Sequence, residues 1–361
     1  MSRRKKSDAS IRSYSKTVTI KDVSERAGVS IGTVDRALNN RGRISDATKE
    51  KVLQAAKELN YQRNEIARAL RVRKNIKLLS IYPTEPGQYN RHFTQGFEEI
   101  LENLSNFGLE MDTLRTVTLD PQDILGVIGN LEIKNYDGIL INAGGPEINM
   151  FIDHAVEEGV PVATFNSDSP LSKRLFFCGE DHFAAGRLSG ELVSKLLGGS
   201  GTVSFFSGLT SVYALKERTR GFVDIVAEDY PNVSIINNIN HQDDTSIVTE
   251  RAEELLFDNP MPDVIFCNSS TGALPICQLL KKHKVKNRPM VIGYEDGEGL
   301  IQMLKEDYCT ALIFQAPKQQ AKNALRFMFY HLYDGAPIPT EQESIIIPTI
   351  VLKSNMDICS R

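Results

Sequence analysis

Tryptophan is absent from these 361 residues, and cysteine is scarce. The five cysteines, Cys178, Cys267, Cys277, Cys309 and Cys359, are scattered without a C-x-x-C. That excludes a disulfide framework and predicts unpaired thiols in a reduced compartment. None of the six histidines falls in an H-E-x-x-H or a Cys/His cluster, so no zinc site is expected. No run approaches about 18 consecutive apolar residues, so no transmembrane helix and no membrane partner are expected. The basic start, MSRRKKSDASIRSYSK, has no apolar stretch behind it. The expectation is therefore a cytoplasmic protein without a secretory signal.

Enzymatic signatures are missing too. GGSG at 198–201 is not followed by G-x-x-x-x-G-K-[ST], and reads as a helix-to-strand turn. GYEDGEG at 293–299 lacks the G-x-G-x-x-G spacing. Its Glu295, Asp296 and Glu298 read as a crevice carboxylate and a helix start in preference to a metal site. No Ser/His/Asp or Cys/His set is suggested by local sequence. The expectation is no catalytic residue, no metal and no cofactor.

What is present is an uneven distribution of charge. The chain carries a net −4, with 41% apolar and 24% charged residues, ordinary for a globular protein of two or three domains. Residues 1–75 hold 19 Lys and Arg against 8 Asp and Glu, a net of +11. The other 286 hold 23 against 38, a net of −15. A basic head on an acidic body implies that only the head meets a polyanion.

The head is patterned as helices. TIKDVSER (19–26) begins one, with Thr19 as cap and Asp22 three residues later. Ala27-Gly28-Val29 is a tight turn in which Gly28 can take positive φ. Ser30 caps IGTVDRALNN, and Ser45 caps DATKEKVLQAAKELNY, whose apolar stripe is Val52, Leu53, Ala56 and Leu59. Ile20, Val23, Ala27, Val29, Val34, Ala37 and Leu38 complete a small core. Two short helices joined by a Gly-containing turn form a helix-turn-helix. Its second helix offers Ser30, Ile31, Gly32 and Thr33 to a major groove, with Arg36 one turn on. Arg can bond guanine O6 and N7, while Ser30 and Thr33 suit phosphate. Asp35 either accepts from cytosine N4 or orients Arg36. NEIARALRVRKN (64–75) follows, a basic segment too short for an independently stable helix.

From Ile76 apolar strands alternate with helices: KLLSIYP, GILINA, PVATFN, TVSFFSG, VSIINN, DVIFCN, PMVIGYE and CTALIFQ. Continuous apolar runs divided by helices predict parallel sheets covered on both faces, in two lobes.

Residues 17–71, TVTIKDVSERAGVSIGTVDRALNNRGRISDATKEKVLQAAKELNYQRNEIARALR, resemble the DNA-binding head and hinge of lactose-repressor (LacI) family regulators. The resemblance implies a hinge that folds on operator DNA, with a leucine from each subunit wedged into the minor groove at the centre of a palindrome. Leu70 matches that leucine, Ala67 and Arg68 the hinge pair, Arg36 the base-reading arginine, and Ile31 and Gly32 the specificity pair. The implied DNA-binding set is Thr19, Ser30, Ile31, Gly32, Thr33, Arg36, Asn39, Asn64, Ala67, Arg68, Leu70 and Arg71. Three positions depart from the pattern. Asp35 replaces a serine, Gly32 replaces a side-chain reader, and Arg63-Asn64 replaces Pro-Asn.

VPVATFNSDSPLSKRLFFCGEDHFAAGRLSGELVSKLLGGSGTVSFFSG, within 76–361, resembles the sugar domain of the same family, near ribose-type periplasmic binding proteins. Two lobes of that kind close on a ligand at the carboxyl ends of their strands. Matching positions are Asn166 and Ser167, Arg218, Asn268, Glu295 and Gln315, polar groups suited to vicinal hydroxyls. Ribose binders carry Asp-Arg at Asn166-Ser167 and aspartate at Glu295, so ribose in the same pose is not expected. Asp168 is a candidate to replace lost polarity. The aromatic face falls to Tyr89, Phe93, Tyr213 or Tyr294, and Asn90 completes the effector set.

The resulting expectation is an all-α helix-turn-helix head (1–62), a hinge helix (63–75) and an α/β two-lobed periplasmic-binding-protein-like domain (76–361). The lobes are expected at 76–177 with 309–340, and at 178–308 with 341–361. The expected function is a homodimeric, nucleoid-associated repressor binding palindromic double-stranded operator DNA under control of a small sugar-like effector. Alternatives are a purine, polyol or signalling-furanose effector, corepression, or an α/β sugar- or nucleotide-processing enzyme bearing a DNA-binding head. A transport-type binding protein is excluded by the head.

Overall fold

The computed structural model describes residues 20–38, 44–59, 75–84, 87–257, 261–295 and 298–360. The chain divides into two compact units at Arg73/Lys74.

In the first unit, helices α1 (Ile20–Ala27), α2 (Ile31–Leu38) and α3 (Asp46–Glu58) enclose Val23, Ala27, Val34, Ala37, Val52 and Ala55. Gly28 sits between α1 and α2 at φ 63°, the left-handed turn that only glycine adopts at little cost. Ser30 Oγ accepts from the Thr33 amide at 3.2 Å, and Ser45 Oγ from that of Thr48 at 3.3 Å, so both serines cap their helices. The α3 stripe differs from the sequence expectation in one place. Leu53 is 46% exposed and Ala55 takes its place inside, because Ala55 stands three residues from Val52 on the same face. The hinge segment, together with Thr19, Asn39, Asn64, Ala67, Arg68, Leu70 and Arg71, lies outside the described residues.

The second unit holds two sheets. The first has strand order β2-β1-β3-β4-β5, all parallel: β1 (Ile76–Pro83), β2 (Leu109–Thr116), β3 (Gly138–Ile141), β4 (Val162–Phe165) and β5 (Phe177–Cys178). Helices α4 (Gly87–Leu104), α5 (Pro121–Ile128) and α6 (Asn149–Glu157) separate these strands. The second sheet runs β11-β10-β9-β8-β6-β7. Its strands are β6 (Ser200–Ser207), β7 (Asn232–Asn240), β8 (Val264–Cys267), β9 (Met290–Tyr294), β10 (Ala311–Phe314) and β11 (Thr349–Val351), the last antiparallel to β10. Helices α7 (His182–Leu196), α8 (Tyr213–Asp229), α9 (Thr245–Phe257), α10 (Ala273–His283) and α11 (Glu298–Lys305) belong with it. The central strands β3, β4, β8 and β10 are buried throughout, as apolar strands between two helical layers must be.

The chain passes between the lobes three times. It leaves the first sheet after β5, and returns after β10 into α12 (Pro317–Asp334), which packs on α4, β4 and β5. It then crosses again through α13 (Glu341–Ser344) to β11. The sequence expectation puts residues 309–340 in the first lobe, but β10 pairs with β9 and β11, so that crossing falls after Phe314. Two crossings are joined. Gly179 donates its N–H to Ser344 O at 3.2 Å and accepts from the Ile346 amide at 2.6 Å.

Strands β2, β5 and β11 were not among the sequence candidates. β2 is an edge strand with a half-exposed face (LEMDTLRT), and the other two contain two and three residues. All five cysteines are buried and unpaired, as expected. No helix among the described residues is long and apolar enough to cross a membrane.

Candidate functional site

On the first unit, α2 turns Ser30, Ile31, Gly32, Asp35 and Arg36 outward. Ile31 is 47% exposed, an apolar side chain the small core leaves available. Arg36 folds back along its helix, donating from Nε to Gly32 O at 3.0 Å and from Nη2 to Thr33 Oγ1 at 3.4 Å. The guanidinium is thereby held over the first turn of the helix, beside the Ser30–Thr33 hydroxyl pair (2.9 Å).

On the second unit, a narrow pocket with a cavity volume of about 50 Å³ opens between the lobes at the carboxyl ends of the strands. Of the expected effector residues, Tyr89, Asn90, Asn166, Arg218, Glu295 and Gln315 line it. Asn166 and Glu295 each follow directly on a strand, β4 and β9, and both take left-handed backbone, φ 63° and 65°. Such strain in non-glycine residues is characteristic of ligand sites. Gln315 follows directly on β10, at the second crossing.

These side chains are mutually bonded. Asn166 Nδ2 donates to Tyr89 Oη (2.6 Å), Gln315 Oε1 (3.1 Å) and Gln320 Oε1 (3.2 Å). Gln315 Nε2 donates to Tyr89 Oη at 2.9 Å. Arg218 donates from Nη2 to Gln315 Oε1 at 2.9 Å and from Nη1 to Asn268 O at 3.3 Å. Its Nε donates to Glu180 Oε1 at 2.5 Å, and its guanidinium stacks 4.1 Å from the Tyr294 ring centroid. Tyr294 in turn donates to Glu180 at 3.2 Å. Burial pushes the Glu180 carboxyl up, but the Arg218 charge and the His182 ring outweigh it, and the group stays below the usual carboxylate range. Burial holds the Tyr89 and Tyr294 phenols well above theirs, so both remain protonated.

Helix packing sets the position of Arg218. A Cβ added at Gly186 of α7 would stand 2.2 Å from the Arg218 carbonyl oxygen, so only glycine lets α7 and α8 approach this closely.

Six expected effector residues do other work. Phe93 is buried edge-on behind Tyr89, at 5.2 Å between ring centroids. Tyr213 faces the His182 ring at the start of α8. Asp168 is taken by Arg174 (2.7 Å) and Thr164 (2.6 Å), and adds no polarity to the cleft. Asn268 uses its side chain on the Gly208 amide, Leu215 O and Thr219. Ser167 Oγ accepts from the Ala214 amide at 3.4 Å, across to the other lobe. Tyr294 lies under Arg218, leaving Tyr89 as the aromatic on the wall, with apolar surface from Leu119, Val212 and Leu215.

Sequence reasoning missed Glu180, Asp243, Ser269, Ser270 and Gln320. Asp243, Ser269 and Ser270 lie just beyond β7 and β8, and the strand-end rule applied to every strand would have found them. Glu180, fully buried between two crossings, had one signal: a carboxylate directly after the apolar FFCG.

Residues 19–64 match the family described as "Bacterial regulatory proteins, lacI family", and residues 76–336 match "Periplasmic binding protein domain". The chain belongs to the lacI family. Among similar lacI-family relatives is a PurR repressor of Vibrio parahaemolyticus, 27% identical over 93% of this chain and 99% of that protein. The probable repressor ExuR of Bacillus subtilis is 26% identical over 77% and 82%, and a ribose operon repressor of Halalkalibacterium halodurans 25% over 79% and 82%. Solved structures share the fold of the second unit. A Burkholderia graminis solute-binding protein in complex with D-arabinose has a TM-score of 0.71 at 22% identity, covering 79% of this chain and 97% of its own. A Bacillus halodurans solute-binding protein with bound myo-inositol has 0.70 at 18%, covering 79% and 98%. As a lacI-family member, the chain is a DNA-binding transcriptional regulator.

Proposed function

We propose that this regulator is a homodimeric, non-enzymatic repressor in the cytoplasm, whose grip on a palindromic operator is released by a small sugar or polyol. One observation carries the effector reading. Asn166 from the first lobe, Arg218 from the second and Gln315 at a crossing meet at a single pocket and are bonded to one another. An occupant there contacts both lobes and thereby biases how they close. Lobe closure shifts the dimer contact, and with it the spacing of two heads that must reach two half-sites. A coupling of about 1–3 kcal/mol changes operator affinity about 5–150-fold.

Amide, guanidinium and carboxylate groups pair with vicinal hydroxyls, while Leu119, Val212 and Leu215 supply apolar surface for ring carbons. The names of the ribose operon and sucrose operon repressors and the arabinose and inositol complexes support a polyol. At the DNA end, Arg36 reads base edges while Ser30 and Thr33 contact phosphate. Leu70 from each subunit wedges the central step, with Arg68 and Arg71 on the backbone.

The test is a thermal-shift screen of sugars and polyols, followed by operator titration with each hit. Operator fragments are first selected from pooled genomic DNA. At least one compound is expected to raise the melting temperature and weaken operator binding at least fivefold. A hit that strengthens binding would reverse the sign to corepression. Turnover of any hit by the purified protein would overturn the non-enzymatic reading.

A further inference from the structure

The deciding feature is a carboxylate that does not touch the cavity. Glu180 is fully buried behind the wall, and its Oε1 accepts from Arg218 Nε at 2.5 Å and from the Tyr294 hydroxyl at 3.2 Å. The cleft arginine is therefore already paired. It has five N–H donors, and Glu180, Asn268 O and Gln315 Oε1 take three of them. What reaches an effector from Arg218 is a pair of N–H bonds on a neutralised cation.

The wall itself carries two further carboxylates, Asp243 and Glu295. Asp243 is fixed by the Thr271 hydroxyl at 2.5 Å and the Leu209 amide at 3.3 Å. Among the described lining residues Arg218 is the one cation; Glu180 already pairs with it, and the lining adds two more carboxylates, Asp243 and Glu295. An anionic group enclosed there loses its water and meets like charge, a combination that costs several kcal/mol. A hydroxyl meets the opposite situation. The carboxylates and the Ser269 and Ser270 hydroxyls are acceptors for O–H donors.

We propose that this cleft selects its effector by charge: it admits neutral polyhydroxylated compounds and rejects their anionic counterparts, with Glu180 setting that sign by neutralising Arg218 from behind the wall. The proposal rests on the polyol reading above and divides the candidates further. Uronates, sugar phosphates and nucleotides are excluded, while pentoses, hexoses and cyclic polyols are retained. Glu180 acts here as a positioning residue, since its effect reaches the effector only through Arg218.

The test is calorimetric titration of the full-length protein with matched pairs: D-glucose and D-glucuronate, D-galactose and D-galacturonate, myo-inositol and its 1-phosphate, D-ribose and its 5-phosphate. The neutral member of at least one pair is expected to bind about 100-fold or more tightly than its anionic partner, the ratio that a like-charge penalty of a few kcal/mol gives. Glu295→Gln and Asp243→Asn should each narrow that ratio about tenfold or more, because each removes one repelling charge from the wall. Glu180→Gln should narrow it by restoring the free charge of Arg218. If that variant does not fold, the two wall variants decide. An anionic member that binds as tightly as its neutral partner overturns charge selection and leaves the polyol reading standing. So does a ratio unchanged in both folded wall variants. Binding by no member of any pair overturns the polyol reading itself.

Discussion

Arg218 is held by Glu180, Asn268 O, Gln315 and the Tyr294 ring, so replacing it does two things at once. Arg218→Ala removes a group from the cleft and leaves Glu180 as a buried, uncompensated carboxylate. Breaking a buried pair from one side costs about 3–5 kcal/mol. The expected outcome is a clear drop in melting temperature together with loss of the effector response. Arg218→Met combined with Glu180→Leu should recover much of the stability without recovering the response, which separates packing from recognition. The pair also has a pH signature. The carboxyl of Glu180 is lower in the folded chain than when unfolded, so its contribution is present above the unfolded value, roughly pH 4.3. It is lost as pH falls through the folded value, and Glu180→Gln should flatten acid unfolding measured below about pH 4. At the other end, Leu70→Ala should weaken operator binding about tenfold or more, since a wedge supports a bend worth a few kcal/mol. Effector affinity, measured by calorimetry, should not change.

Helix α8 shows how an element can belong to both lobes. Its N-cap, Val212, has no side-chain acceptor. Its first amides are instead satisfied from the first lobe, Tyr213 N–H by Gly144 O at 2.9 Å and Ala214 N–H by Ser167 Oγ at 3.4 Å. A side-chain cap is worth about 0.5–2 kcal/mol, and this one exists only while the lobes meet. Ser167→Ala should therefore raise the effector Kd about two- to tenfold, with a more open effector-free form by small-angle scattering. Gly186→Ala should cost more, because its methyl group meets backbone at Arg218, and α7 and α8 must separate. The elements also explain what was legible. Seven of the eight apolar strands declared themselves because parallel strands buried on both faces read as continuous apolar runs, while the edge strand β7 did so through its Val233, Ile235 and Ile236. β2 did not, since an edge strand with a half-exposed face mixes polar and apolar residues. Resemblance named Asn166, Arg218, Glu295 and Gln315 together, and the strand-end position of most of them agrees with a place on the pocket wall. Neither could separate Ser167 and Asp168 from Asn166, because three adjacent polar residues differ only in which tertiary partners claim them.

At the scale of the whole molecule, opposite charges are kept on separate units. Residues 1–75 carry the net +11, and the remainder, which encloses the cleft, carries −15. Duplex binding should therefore be steeply salt-dependent. With six or more phosphates neutralised per dimer, affinity should fall about 10³-fold or more between 50 and 200 mM salt. Effector affinity for a neutral compound should barely move over the same range, and calorimetry at both salt concentrations checks it. The joined crossings at Gly179 and Ser344–Ile346 bear on how such a molecule responds. Two ribbons stitched together resist twisting and sideways slip far better than two loose ones. They confine the lobes to swinging about a common axle, like a door on paired pins. Whatever settles in the cleft, its message leaves as one rotation of fixed direction.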